Sequence, residues 1–163
     1  MTFRIGFGYD AHQLAEGTPL VLGSVDIPWE KGLAGHSDGD VLLHAVMDAL
    51  LGAACIGDIG VHFPDTDPQY KGCSSLLLLS EVKGKLDHAG YEVHNVDCTL
   101  VAQRPKIQPY IPAMRQKISR VLGVDEDQVS VKATTTEFMG FTGREEGMAC
   151  YAICSLHRRS ISE

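Results

Sequence analysis

The chain has 163 residues, 44% of them hydrophobic, and a formal net charge of −7, which suits one globular domain and excludes a disordered chain. The negative charge argues against nucleic acid as a partner, because binding a phosphate backbone needs a basic face. No apolar run approaches the length of a membrane span and no signal-peptide pattern follows Met1, so we expect neither a membrane segment nor a signal peptide.

The first half of the chain predicts two strands and one buried helix. Strands are expected at 3–10 and 19–27, where apolar and β-branched residues lie between turn residues. The stretch "SDGDVLLHAVMDALLGAAC" (37–55) predicts the strongest helix, capped by Ser37 or Asp38. Apolar residues surround most of its circumference, so it should be buried in a core or an interface.

A long loop separates this helix from the second half of the chain. Residues 56–72 are too rich in Gly, Pro and Asp for regular structure, and long loops in compact domains are often functional. The remaining elements are predicted as helices at 74–90 and 109–123 and as strands at 91–103, 128–136 and 147–157.

The order of these elements predicts the fold class. Strands and helices are mixed, so we expect an α/β (α+β) sandwich, a mixed β-sheet with helices on one face. No linker or low-complexity segment divides the chain, which predicts a single domain over 1–157. Residues 158–163 are expected to form a disordered tail.

The N-terminal stretch "RIGFGYDAHQLAEGTP" permits two interpretations. Gly6, Gly8 and Ala11 satisfy the glycine fingerprint of dinucleotide-binding folds, which works only where a strand turns into a helix. Gly17 and Pro19 leave no room for that helix. The dinucleotide interpretation is therefore rejected.

The second interpretation is a metal site. In an extended segment Asp10 and His12 point to the same side, where they would present an oxygen and an imidazole next to each other. Zinc accepts such a mixed set and uses three protein ligands in catalytic sites. His44, inside the apolar helix, is either a third ligand or a hydrogen-bonded core residue, and His36 and His62 are further candidates. Spacing alone does not choose among the three histidines.

The cysteine content bears on the cellular compartment. The chain has five cysteines, an odd number, and no C-x-x-C motif. Free core thiols in a reducing cytosol explain this best, which predicts a cytoplasmic protein.

Several blocks of the sequence resemble a known family. They are "YDAH", "GHSDGDVLLHAVMDALLGAA", "GDIGVHFPDTDPQYKG", "NVDCTLVAQRPKI", "VKATTTE" and "GFTGREEG". In this order, from about Arg4 to Ser155, they resemble the 2-C-methyl-D-erythritol 2,4-cyclodiphosphate synthase family. The resemblance implies a lyase of the non-mevalonate route to isoprenoids, in which 4-diphosphocytidyl-2-C-methyl-D-erythritol 2-phosphate is cyclised and CMP leaves.

The resemblance also implies an assembly and a set of metals. The family is a homotrimer with active sites between neighbouring chains. Zinc would be held by Asp10, His12 and His44, and a second ion, magnesium or manganese, by Glu137. His36 and Thr135 would be catalytic: His36 orients a phosphate oxygen, and Thr135 donates a hydrogen bond to charge developing on phosphate.

Substrate-binding positions come from the same resemblance. Ser37 would touch phosphate. The methylerythritol pocket would be lined by Asp58, Ile59, Gly60, Phe63, Pro64, Asp65, Thr66 and Asp67. The cytidine and diphosphate side, from the adjacent chain, would comprise Ala102, Gln103, Arg104, Pro105, Lys106, Ile107, Gln108, Thr134 and Thr136. Phe141 and Arg144 also match binding positions.

Two further implications concern the edges of this site. Arg144 and Glu146 would face the trimer axis, where a cavity could take an isoprenoid diphosphate. Ile107 stands where the family often has methionine and Gln108 where an apolar residue is common, so nucleobase affinity could differ.

The residues suit a reaction in which the substrate supplies its own nucleophile. The 2-phosphate is largely ionised at neutral pH, since its second pKa is near ~6, and it needs no Ser-His-Asp or Cys-His set, which the sequence lacks. Metals would screen the two anions and align the attacking and leaving oxygens. A catalytically silent metal- or nucleotide-binding module, or a zinc hydrolase giving a linear product, are the alternatives.

Overall fold

A computed structural model describes residues 3–159 and places them around one mixed sheet. The strands are β1 Phe3–Glu16, β2 Leu20–Leu22, β3 Val25–Ile27, β4 Lys31–Leu33, β5 Tyr91–Val101, β6 Val129–Thr134 and β7 Gly147–Arg158. The large sheet has the order β4-β1-β7-β5-β6, with β5 and β6 parallel and the other pairs antiparallel. β2 and β3 form a separate antiparallel hairpin.

The helices form a layer against the large sheet. They are α1 Val41–Ala54, α2 Ile59–His62, α3 Ser75–His88, α4 Ile111–Leu122 and α5 Gly140–Gly143, with 3-10 turns at Pro68–Tyr70, Gln108–Tyr110 and Glu126–Gln128. α1 packs on β1 and β7, α3 on β5, and α4 on β6, while neighbouring helices also touch one another. The predicted α/β sandwich is confirmed.

Helix α1 is as buried as its composition predicts, and two glycines explain how it reaches the sheet. A Cβ on Gly6 would lie 1.8 Å from the carbonyl oxygen of Ala49, and one on Gly8 would lie 2.0 Å from that of Ala45. The helix backbone therefore rests directly on β1. The rejection of the dinucleotide fingerprint is also confirmed, because Gly6, Gly8 and Ala11 lie within one continuous strand.

The predicted cap of α1 was wrong. Asp40, not Ser37 or Asp38, is the N-cap and accepts a hydrogen bond from the amide of Leu43. The carboxylate of Asp38 instead binds the start of α3. The helix accordingly begins four residues later than the predicted start at 37.

Asp40 also ties the small hairpin to α1. Its carboxylate accepts hydrogen bonds from the amides of Gly23 and Ser24, both in the left-handed region at the tip between β2 and β3. This tip divides the predicted strand 19–27 into two. Burial raises the pKa of Asp40 to about 6, although the three amide donors act in the opposite direction.

Other boundaries differ by a few residues. β1 continues to Glu16 rather than ending at residue 10, because it pairs with β7 and then with the unpredicted β4. The loop 56–72 contains a single turn of α-helix and one of 3-10 helix. β7 ends at Arg158; residues 160–163 of the predicted tail lie outside the described residues, so the domain boundary stays a prediction.

The two faces of the large sheet differ sharply. Even-numbered positions of β1 face α1, so the odd-numbered apolar side chains point away from the helices. On this face, large hydrophobic side chains of β1 and β7 are exposed: Phe3, Ile5, Phe7, Tyr9, Tyr151 and Ile153. We call this apolar surface the open face. Within residues 3–159, no helix is long and apolar enough to cross a bilayer.

Candidate metal centre and binding pockets

Three ligand atoms converge where β1 meets the first turns of α1. Asp10 Oδ2 lies 2.8 Å from His12 Nε2 and 3.0 Å from His44 Nδ1, and the two ring nitrogens are 3.1 Å apart. Asp10 and His12 share a side of β1, as their spacing predicts, and α1 brings His44 over them. The structure therefore assembles a group of three that can hold a metal ion.

The electrostatics of this group favour a positive charge at its centre. Burial alone would raise the pKa of Asp10, but hydrogen bonds and charge from His12 and His44 lower it to about 2. The hydrogen bond with Asp10 is the main reason that the pKa of His12 is raised. The carboxylate thus stays ionised and favours a cation, or a proton on His12, next to it.

The second nitrogen of His12 shows which atom is free for a metal. His12 Nδ1 lies 2.6 Å from the carbonyl oxygen of Ala34, which can only accept a hydrogen bond, so Nδ1 carries the hydrogen. The neutral ring then directs a lone pair from Nε2 at Asp10 Oδ2. Two electron-rich atoms this close repel unless a proton or a cation lies between them. A divalent metal fits this need.

The structure places the other candidate histidines outside the group. His62, at the end of α2, donates from Nε2 to the carbonyl oxygen of Ile56 at 2.7 Å. His36 lines the cavity in front of the metal group without joining it. Of the three histidines that spacing left open, His44 is the one that completes the group.

A cavity of about 400 Å³ opens directly from the metal group. Its walls contain five of the residues expected around the methylerythritol, Ile59, Gly60, Phe63, Pro64 and Asp65, together with His36 and Ser37, which were expected to contact phosphate. Met47, Tyr70 and Leu78, which sequence reasoning missed, complete the apolar part. Asp58 and Asp67 instead cap the short helical turns of the loop, and neither they nor Thr66 lines the cavity.

A second cavity of about 700 Å³ lies between the ends of β5 and β6 and the start of α4. Its lining contains the expected cytidine-side residues, Ala102, Gln103, Arg104, Pro105, Lys106, Ile107, Gln108, Thr134 and Thr135. Ile111, Val131, Lys132 and Ala133 also line it, a set that sequence analysis did not assign. The second cavity thus has three basic side chains in its lining, whereas the first is lined by histidines and acids but by no lysine or arginine. The two cavities share no residue.

The segment after β6 has an unusual backbone. Glu137 and Phe138 are both in the left-handed region, at φ 51° and 63°, a conformation that costs energy for residues other than glycine and recurs at functional sites. Thr135 Oγ1 donates to Glu137 Oε1 at 3.2 Å. Thr136 is used structurally, since its hydroxyl contacts the Met139 carbonyl and Thr142 Oγ1.

The remaining expected site residues lie outside both cavities of the single chain. Glu137 does not join the group of Asp10, His12 and His44. Phe141 and Arg144 line neither cavity, and Arg144 forms an exposed ion pair with Glu146 at 2.8 Å. Most of the sequence-predicted residues are therefore brought together in two separate clusters, and Glu137, Phe141 and Arg144 belong to neither.

Comparisons with known proteins show the family and the fold that the chain resembles. The model of the YgbB family matches residues 3–157. A 2-C-methyl-D-erythritol 2,4-cyclodiphosphate synthase from Desulforamulus reducens is 60% identical over 155 residues, 95% of this chain and 99% of the relative. The bifunctional IspDF of Campylobacter jejuni has a TM-score of 0.93 at 44% identity, covering 96% of this chain and 42% of that one. IspF of Plasmodium falciparum, solved as a CDP complex, has a TM-score of 0.84 at 35% identity over 97% of each chain.

Proposed function

Because the chain belongs to the YgbB family, we propose that it is a 2-C-methyl-D-erythritol 2,4-cyclodiphosphate synthase that cyclises its cytidine diphosphate substrate and releases CMP. The observation that carries the proposal is the group of Asp10, His12 and His44 at the wall of a cavity large enough for a small phosphorylated sugar alcohol. The product is a cyclic diphosphate, because the attacking phosphate and the phosphorus that it attacks belong to one molecule.

The metal at this group is proposed to be zinc. The donor set fits this ion, because zinc accepts imidazole nitrogens together with a carboxylate oxygen, and the three ligand atoms lie within 3.1 Å of one another. Bound there, zinc would act as a Lewis acid on a phosphoryl oxygen. Asp10, His12 and His44 would hold it and leave the side facing the cavity open.

The chain's other residues would position the substrate. His36 and Ser37 stand at the cavity wall, where an imidazole and a hydroxyl can hold phosphate oxygens. The substrate's 2-phosphate is already an anion at neutral pH and attacks the phosphorus that carries CMP. The P–O bond to CMP breaks as the new P–O bond forms, so no protein nucleophile is required.

The second cavity is proposed to bind the cytidine and the diphosphate of a substrate held by a neighbouring copy. Lys106, Lys132 and Arg104 line it and supply cationic side chains, which the lining of the metal cavity lacks. Lys132 is paired with Asp97 and Arg104 with Glu145. Thr135 would donate its hydroxyl to phosphate, and Glu137 would hold magnesium or manganese against the diphosphate. One substrate would thus need residues from two chains.

The open face supports assembly into the homotrimer that this arrangement requires. Ile5 is 74% exposed and Phe7 61% exposed in the single chain, and contiguous apolar patches of this kind mark interfaces. Copies packed around this face would bury it and bring cavities of adjacent chains together. An isoprenoid diphosphate near Arg144 on the axis, and a cytoplasmic location suited to five free thiols, complete the proposal.

Charge placed on the open face is expected to dissociate the trimer. Ile5→Glu combined with Phe7→Glu should reduce the mass measured by light scattering from three 17.7 kDa chains to one, because buried unpaired carboxylates are costly. Leu77→Glu, on α3 and also 62% exposed, serves as the control and should leave the mass unchanged. A double variant with the wild-type mass would place the interface elsewhere.

The activity itself is tested by incubating the protein with 4-diphosphocytidyl-2-C-methyl-D-erythritol 2-phosphate, zinc and magnesium. CMP release together with a cyclic diphosphate in the phosphorus NMR spectrum is the expected result. A linear product would point to a zinc hydrolase instead. No CMP from well-folded protein would favour a silent binding module on the same scaffold.

A further inference from the structure

The ring nitrogen of His44 that faces away from the metal group contacts two serine hydroxyls, and one of them, on Ser75, leads to a carboxylate, Asp38, that has no assigned role. His44 Nε2 lies 3.0 Å from Ser75 Oγ and 3.0 Å from Ser37 Oγ. Ser75, the first residue of α3, is fully buried. Its Oγ lies 2.5 Å from Asp38 Oδ1, and its amide donates to Asp38 Oδ2 at 2.8 Å.

The direction of these hydrogen bonds is set by the number of hydrogens available. The Asp38 carboxylate receives the amides of Ser75 and of Asp40, at 2.8 and 3.2 Å, and so acts as an acceptor. The single hydroxyl hydrogen of Ser75 is therefore donated to Asp38. Ser75 Oγ can then only accept from His44, which puts the ring hydrogen on Nε2 and leaves the lone pair on Nδ1.

We propose that Asp38, acting through Ser75, is a positioning residue that keeps His44 in the tautomer that can bind the metal. The inference deepens the proposed function and rests on His44 being a metal ligand. The Nδ1 lone pair fixed in this way faces Asp10 Oδ2 at 3.0 Å, where the ion would lie.

The two ligand histidines differ in a way that explains why Asp38 is needed. His12 donates its one ring hydrogen, on Nδ1, to a backbone carbonyl, which can only accept. His44 faces hydroxyl groups, which can donate or accept with equal ease. The direction of the hydrogen bond between Ser75 and His44 is fixed only because the Asp38 carboxylate takes the hydroxyl hydrogen of Ser75. Removing a group that is hydrogen-bonded to a metal ligand typically lowers metal affinity ~10–100-fold.

Ser75→Ala tests this relay, the hydrogen-bonded series Asp38–Ser75–His44. It disturbs little else, because the amide of residue 75 keeps its hydrogen bond to Asp38. We expect zinc affinity, measured by competition with a chelator, to fall ~10–100-fold. Nitrogen-15 NMR of the metal-free protein is recorded well above the imidazole titration range and in an Asp10→Ala background, so that no carboxylate faces Nδ1. It should show hydrogen on His44 Nε2 when Ser75 is present and a tautomer mixture with S75A. The matched control is S119A, which also removes a buried hydroxyl, bonded to the Gln116 carbonyl, and should change affinity by less than about twofold.

Asp38→Asn provides the second variant, should S75A fold poorly. The introduced amide can donate to Ser75 Oγ, which frees the hydroxyl to donate to His44 Nε2 and selects the wrong tautomer. Zinc affinity should fall at least as far as in S75A, with hydrogen on Nδ1. Wild-type zinc affinity and an unchanged tautomer in both variants would overturn the relay alone. A wild-type protein that binds no zinc would overturn the proposed metal site and the relay with it.

Discussion

His44→Ala is expected to release the proposed zinc and to reduce CMP formation by ~10³-fold or more. Lewis-acid stabilisation of a phosphoryl transition state amounts to several kcal/mol, and each 1.36 kcal/mol corresponds to a factor of ten in rate. The variant leaves Asp10 and His12 as the two remaining metal ligands, and it creates a small cavity at a buried position on α1. Metal content by mass spectrometry and turnover should fall together.

The control for this variant is His62→Ala, which removes an imidazole of the neighbouring loop whose one hydrogen bond, within residues 3–159, is to the Ile56 carbonyl. It should retain one zinc per chain. Stoichiometric zinc in H44A would show that the ion is held elsewhere. Full zinc loss in H62A would mean that the loop, rather than the three ligands, controls occupancy.

Gly8→Ala is expected to destabilise the protein strongly although it adds only one methyl group. The new Cβ would lie 2.0 Å from the carbonyl oxygen of Ala45 and 2.8 Å from the amide nitrogen of Ala49. Both atoms belong to the backbone of α1, so no side-chain rotation relieves the clash. Separating helix and sheet should cost about 4 kcal/mol or more, which lowers Tm by ~8–16 °C for a chain of this length.

Gly84→Ala is the matched control for G8A, since it adds the same methyl group in the interior of α3, where, among the described residues, no atom beyond the adjoining helix backbone and chain neighbours lies within 4 Å. It should stabilise the protein by ~0.5–1 kcal/mol, because glycine is a poor helix former. Thermal unfolding followed by circular dichroism separates the two. A G8A protein that melts at the wild-type temperature would contradict the close packing of α1 on β1.

Much of the fold is visible in local patterns. The alternation in 91–103 and the cap at Ser74 predict β5 and α3 to within a few residues, as the structure confirms. The predicted boundaries are wrong where a contact between residues distant in sequence sets the end of an element. β1 is longer than predicted because β4 and β7 pair with it, and α1 starts later because Asp38 binds α3 instead of capping α1.

The sequence by itself determined that Asp10 and His12 point the same way, since side-chain direction in a strand repeats every two residues. It also determined that α1 is buried, through composition, and excluded a dinucleotide fold, through Gly17 and Pro19. These properties depend only on near neighbours along the chain.

Only the tertiary structure decided which groups distant in sequence lie next to Asp10 and His12. By spacing, His36, His44 and His62 were equivalent, and the family resemblance named His44 without a physical reason. The reason is that Gly6 and Gly8 let α1 rest on β1, which brings His44 to within 3.1 Å of both partners. Contacts across such separations arise from packing between elements, which local periodicity does not encode.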